Sequence, residues 1–232
     1  MGRNLEFGVD EWYHCYNRGV DRRKIFLGKK DYDRFLALLY LGNSSIPAHL
    51  SNLTQSKQGS TLLGLAMEEE RGETLVDVGA YCLMPNHYHL LIREKEPGGI
   101  TEYMRKLGTG YTMYFNKKEE RTGPLLGGTF KAKHIADDRY FRRVVNYIHA
   151  NSAELVEPKW KEGVARSPKK TAEFLASYQY SSLPEYSGHL SSSHSTSIVN
   201  MELVRDMYEE LPTIKDLFEE AVVFAPEVDI DD

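Results

Sequence analysis

Between Leu75 and Arg93 the chain carries two apolar stretches back to back, separated only by Pro85-Asn86. Each has the length and the apolar and aromatic content of a buried strand, and a Pro-Asn pair is turn chemistry. The segment therefore predicts two antiparallel strands, 75–84 and 87–93, and any fold must be built around that hairpin. The second strand opens with His87-Tyr88-His89. Strand side chains alternate faces, so the two histidines point one way and Tyr88 the other. Two imidazoles at neighbouring like-facing positions are half of a divalent-metal site.

The remaining pattern supplies partners for the hairpin. Residues 11–18, rich in aromatics and ended by Gly19, read as a first strand. A basic turn follows, and Asp31 is read as the cap of a helix reaching about Leu41. Residues 42–74 are rich in Ser, Asn, Gln and Gly and read as a variable insertion with one helical turn at Leu62-Leu63-Gly64-Leu65. A helix is expected from about Thr101 to Lys117, a fourth strand over 129–135, and a last helix, capped by Asp138, to about Asn151. This order predicts an α+β fold: a ferredoxin-like, RRM-like antiparallel sheet with helices on one face, an added helix and a C-terminal extension. The expected division is a catalytic domain at 8–157, with the insertion at 42–74, and an extension at 158–232 ending in an acidic tail.

Composition narrows the class of partner. The 232 residues hold 29 basic and 34 acidic side chains, a net charge of −5. Residues 201–232 account for 2 of the basic and 11 of the acidic ones, which leaves 27 and 23 in residues 1–200. A mildly basic body behind an acidic tail is compatible with a polyanion. No apolar run reaches the length of a bilayer span, the start of the sequence lacks a signal peptide's apolar core, and no membrane is expected. Two cysteines, Cys15 and Cys82, without a spacing motif argue for reduced thiols in the cytoplasm.

The last helix repays a wheel reading. At 100° per residue, Tyr140, Arg143, Tyr147 and Asn151 cluster within about 40° of Tyr147, beside an apolar face of Phe141, Val144, Val145 and Ile148. With that apolar face on the sheet, Tyr147 and Asn151 fall at its edge, one turn apart and able to reach one volume. If that volume is the His87/His89 face, the pair gains a phenol and an amide oxygen together.

Five segments, in order, resemble the single-tyrosine HUH transposases, and most closely the REP-associated tyrosine transposases of bacteria. They are Tyr13-His14-Cys15-Tyr16-Asn17-Arg18-Gly19-Val20, Met84-Pro85-Asn86-His87-Tyr88-His89-Leu90-Leu91, Met104-Arg105-Lys106-Leu107, Phe130-Lys131-Ala132-Lys133 and Tyr147-Ile148-His149-Ala150-Asn151. The resemblance implies that His87, His89 and Asn151 hold Mg or Mn and that Tyr147 is the nucleophile. It implies nicking and rejoining of hairpin-bearing single-stranded DNA, from palindromic repeats, through a 5′-phosphotyrosine intermediate. It also implies a bacterial, nucleoid-associated protein, monomeric or homodimeric, with the monomer preferred. The chain departs from the family at Ser152-Ala153, where Pro-Val is usual, and at Gly127-Gly128-Thr129 in place of Gln-Gly-Arg.

Substrate contacts are expected from Arg18, Arg22, Arg23 and Lys24 after the first strand, from Arg105, Lys106, Lys131 and Lys133, and from Arg143, which is also a candidate for stabilising the Tyr147 phenolate. His14, His134 and His149 are read as satisfying local hydrogen bonds. Two other readings compete: a non-catalytic RRM-like nucleic-acid-binding module, and a metal-dependent single-strand nuclease without a covalent intermediate.

Overall fold

In the computed structural model, which describes residues 5–46, 50, 53, 62–187 and 198–227, the expected hairpin forms one half of a four-stranded sheet. Strand β1 (Trp12–Arg18) is followed by helices α1 (Lys29–Gly42) and α2 (Leu62–Met67), then β2 (Val76–Met84) and β3 (His87–Glu94). β2 and β3 pair antiparallel with Met84 opposite His87 across the Pro85-Asn86 turn, and a bulge interrupts the ladder between Val78 and Ala80. The bulge residue is Gly79, where a Cβ would lie 2.8 Å from Leu91 and 2.9 Å from Trp12. Helix α3 (Gly99–Lys118) leads to β4 (Lys131–His134) and helix α4 (Asp138–Ala150). The strand order is β2-β3-β1-β4, the antiparallel arrangement of a split βαβ plan.

The two helices of that plan, α1 and α3, pack on one face. Tyr13, Cys15, Tyr88, Leu90 and Ile92 meet Phe35, Leu39, Tyr103, Leu107 and Tyr111 there in one apolar cluster. Tyr88 is buried against Phe35, with ring centroids 4.9 Å apart, so the pleat turns it away from the histidines. The added helix α4 takes the opposite face, where Phe141, Val144, Val145 and Ile148 meet Ala80, Cys82, Met84 and Leu91. Both cysteines are buried and neither is in a disulfide.

The extension folds back onto α4. It contributes α5 (Pro168–Ser177), α6 (Leu183–Tyr186), α7 (Met201–Arg205) and α8 (Ile214–Phe224). Trp160, Leu175, Leu217, Phe218 and Ala221 share a core with Tyr147 and Ala150 of α4. Its backbone also pairs with the outer edge of β2, Leu83 N–H donating to Tyr180 O and Ser182 N–H to Tyr81 O. Helix α8 lies inside the segment that charge alone marked as an acidic tail. Of the 42–74 insertion, 47–49, 51, 52 and 54–61 lie outside the described residues, as do tail residues 228–232.

Two caps differ from expectation. Asp137, not Asp138, caps α4, its side chain accepting from Tyr140 N–H. Helix α1 begins two residues before Asp31, because the Asp31 carboxylate reaches back to accept from Leu27 and Gly28 N–H. That carboxylate, fully buried, also accepts from Tyr114 O–H and Lys118 Nζ, tying the start of α1 to the end of α3. Asp31→Asn keeps the shape but loses the charge and acceptor sites, so we expect about 2–3 kcal/mol less stability. Urea unfolding measures it, and a midpoint equal to that of the unaltered chain would remove Asp31 from this role.

Candidate active site

The sheet register decides which side chains share the α4 face. Tyr16 lies opposite His89 and Arg18 opposite His87, while Lys133 and Lys131 lie opposite His14 and Tyr16. Directly opposed residues point the same way, so His14, Tyr16, Arg18, His87, His89, Lys131 and Lys133 line one surface. His87 and His89 are both buried, with ring centroids 4.9 Å apart.

Each histidine has an acceptor behind it. His87 Nδ1 is 2.6 Å from Asn86 Oδ1, an oxygen that only accepts, so Nδ1 carries the hydrogen and Nε2 the lone pair. His89 Nδ1 lies 2.9 Å from His14 Nε2, and His89 Nε2 is buried without a hydrogen-bond partner. Burial, then the neighbouring His87, His14, Lys161 and Arg18, hold the His89 pKa well below its ordinary value. Burial, then Lys133, pushes His14 down to about 3. Both rings are therefore neutral at physiological pH, the state in which an imidazole ligates a metal.

Helix α4 brings the other half. The Tyr147 ring stands edge-on to His89, centroids 5.8 Å apart at 88°, and 6.1 Å from His14. Asn151 follows the last residue of α4, where the chain tightens into a 3-10 turn. Its Nδ2 donates to Tyr147 O at 3.1 Å, which leaves Oδ1, fully buried, without a hydrogen-bond partner. A neutral imidazole nitrogen and an amide oxygen, both desolvated and unsatisfied, are costly unless a cation completes them. Their chemistry fits Mg or Mn, which accept oxygen and imidazole donors. Among the described residues no three His, Cys, Asp or Glu side chains gather as a metal cluster.

Tyr147 and Asn151 were expected at the edge of the helix, and both are enclosed instead: Tyr147 is 2% exposed. The extension is the reason, since Trp160 packs 5.7 Å from the Tyr147 ring and Phe218 behind Trp160. Lys161 Nζ lies 5.8 Å from the centre of the Tyr147 ring and 3.0 Å from Glu154 Oε2. Arg143 is placed over Phe224 at 5.1 Å and lines a groove of about 950 Å³ between α4 and α8, with Glu219 and Glu220 on its other wall.

The histidines open into a cleft of about 460 Å³ whose walls include Tyr16, Arg18, Arg22 and Lys131. Its rim is the turn after β1, where a Cβ on Gly19 would fall 2.2 Å from Arg23 O, and where Asp21 and Arg22 both take left-handed φ values of 55° and 58°. Non-glycine residues in that region are strained, and the hydrogen bonds from Gly19 N–H to Asn86 O and Val20 N–H to Leu125 O hold the turn. Arg23 bonds to Val20 O and Lys24 is exposed beside it. Lys133 Nζ sits 5.5 Å over the Tyr140 ring. Arg105 and Lys106 are not brought to this cleft. Arg105 pairs with Glu102 and lines a separate groove of about 550 Å³ beside α3, and Lys106 bonds to Ser44 O.

Sequence reasoning passed over four residues at the centre, His14, Tyr16, Trp160 and Lys161. His134 and His149 do make local bonds, to Glu11 and Ser182. His14 does not: its partner is His89. The alternation that joined His87 to His89, extended across β1, would have placed His14 and Tyr16 on the same face. Trp160 and Lys161 carried no such signal, because they reach the site only through the fold-back of the extension.

Residues 61–151 match the family described as IS200-like transposase. Among solved structures, the chain is similar to a REP-associated tyrosine transposase bound to a REP hairpin, at 11% identity and a TM-score of 0.48, over 92% of each chain. No curated protein matches the sequence. The matched segment runs from α2 through the His87/His89 strand to Tyr147 and Asn151, so the similarity to the IS200-like transposase family covers the histidine strand and the helix that form the site.

Proposed function

We propose that the protein nicks and rejoins hairpin-bearing single-stranded DNA, with Tyr147 as the nucleophile and His87, His89 and Asn151 as the ligands of a Mg or Mn ion. The observation that carries this reading is the convergence of the Tyr147 ring on His89, together with a His89 Nε2 and an Asn151 Oδ1 that are both buried without a hydrogen-bond partner. A bound ion supplies Lewis-acid stabilisation of charge on the phosphoryl oxygens. The chain supplies the rest. Arg18, Arg22 and Lys131 line the cleft and draw in the phosphate backbone, and Tyr16 offers a ring for a base to stack on.

In the cleavage step the Tyr147 phenol gives up its proton and its oxygen bonds to phosphorus. The bond from phosphorus to the 3′-oxygen breaks, and that oxygen leaves as a 3′-hydroxyl. The phosphodiester energy is kept in the 5′-phosphotyrosine link, so a second 3′-hydroxyl rejoins the strand without ATP. The single-tyrosine HUH resemblance, and within it the REP-associated group, favours palindromic-repeat hairpins in a bacterial nucleoid as substrate. On this reading residues 8–157 form the catalytic domain, 42–74 its insertion and 158–232 its extension, in a monomer. No helix among the described residues is long and apolar enough to cross a membrane.

The test uses labelled hairpin-bearing single-stranded DNA with Mg or Mn. A protein–DNA adduct that survives denaturation is expected. Cleavage without an adduct would favour a hydrolytic nuclease, and binding without cleavage an RRM-like module. Either outcome ends the transposase reading.

A further inference from the structure

His14 is buried within the centre, and the reaction has no use for it so far. It is 1% exposed, and its ring lies 5.1 Å from that of His89. It stands one like-facing position along β1 from Tyr16, the residue directly opposite His89, and so reaches His89 diagonally. Its Nε2 is 2.9 Å from His89 Nδ1. A contact between two neutral imidazoles has two forms. Either His89 Nδ1–H donates to His14 Nε2, or His14 Nε2–H donates to His89 Nδ1.

The two forms differ at the far side of His89. In the first, Nε2 carries a lone pair and can ligate; in the second it carries the hydrogen and cannot. His87 poses the same question, and Asn86 Oδ1, able only to accept, answers it there. We infer that His14 is the positioning residue for His89, accepting its Nδ1 hydrogen as Asn86 accepts that of His87, and so presenting the His89 Nε2 lone pair to the metal. This rests on the metal-centre reading above. Two neutral acceptors, in place of the carboxylates that often stand behind metal-bound histidines, add no negative charge at a site that must receive a phosphate.

The experiment measures Mn binding to the full chain by calorimetry, without DNA, in the unaltered protein, His14→Leu and His14→Gln. Loss of an orienting partner of this kind weakens metal binding by about 10–100-fold. That loss is expected for His14→Leu. The side-chain oxygen of His14→Gln is an acceptor, so most of the affinity is expected to return. A long-range proton–nitrogen correlation spectrum of the Mg-loaded, unaltered protein should show His89 protonated at Nδ1.

Equal affinity in all three chains would overturn the role, as would a glutamine variant as weak as the leucine one, which would point to packing alone. Should His14→Leu fail to fold, the glutamine titration and the spectrum still decide: His89 protonated at Nε2 with Mg bound sinks the proposal. Absence of Mn binding in the unaltered chain defeats the metal-centre reading itself, and this role with it.

Discussion

Tyr147→Phe is expected to lower strand cleavage by about three orders of magnitude or more and to eliminate the covalent adduct, because no other group can replace a covalent nucleophile. The substitution removes one oxygen from a ring wedged between His89, His14 and Trp160, and leaves the ring's volume and edge-on contacts in place. The fold should survive with a stability change of about 1 kcal/mol. Mn affinity should be unchanged, since His87, His89 and the Asn151 amide, anchored on the Tyr147 backbone oxygen, are untouched. Asn151→Ala separates the roles from the other side: it should lose metal affinity while Tyr147 stays in position. Quench-flow cleavage, denaturing gels and calorimetry read these three quantities. An adduct formed by Tyr147→Phe at the normal rate would move the nucleophile elsewhere, and lost Mn affinity would mean the phenol belongs to the ligand set.

What could be read from the sequence was what local periodicity encodes. The β2–β3 hairpin, the shared face of His87 and His89, the opposite facing of Tyr88 and the apolar face of α4 all follow from periods of two or 3.6 residues, and all are present. Helix starts were less legible. Asp31 and Asp137 are both capping carboxylates in type, but which backbone N–H each reaches depends on where the preceding loop enters the helix. Asp31 serves Leu27 and Gly28 because Lys118 and Tyr114, more than eighty residues on, also claim it.

The enclosure of the site was illegible for a related reason. Nothing local marks Trp160 and Lys161 as neighbours of Tyr147; the fold-back of α5 and α8 onto α4 brings them there. Helix α8 was hidden by its own charge. Its Leu217, Phe218, Ala221, Val222 and Phe224 recur at helical spacing, yet Asp216, Glu219 and Glu220 on the other face give the segment the look of a solvated tail. Net charge speaks to partners and solubility, whereas burial follows the spacing of the apolar positions. The same distinction sorts the cations. Arg18, Arg22 and Lys131 gather because strand register and one turn place them, whereas Arg105 and Lys106, equally basic in sequence, sit on a helix over the other face.

Stability should fall steeply as the pH drops below the ordinary histidine range. Burial pushes His14 and His149 down to about 3, from a value of 6.5 for an unconstrained histidine. In the unfolded chain both take up protons once the pH passes below 6.5; in the folded chain neither does until about pH 3. Between those limits the unfolded state binds more protons, so stability rises with pH and is lost on acidification. Each histidine contributes about 1.4 kcal/mol per pH unit in that window, so the pair costs about 5 kcal/mol between pH 6.5 and 4.5. That is a large part of the 5–15 kcal/mol typical of a folded protein. His149 is the cleaner probe, because its Nε2 bonds to Ser182 Oγ and a glutamine amide can take that place without titrating. Whatever stability His149→Gln has at pH 7, its slope below pH 6.5 should be shallower by about 1.4 kcal/mol per unit. Urea midpoints measured every half unit from pH 7 to 4.5 give that slope directly. Parallel curves for the two proteins would show that His149 is not a group the folded state holds neutral.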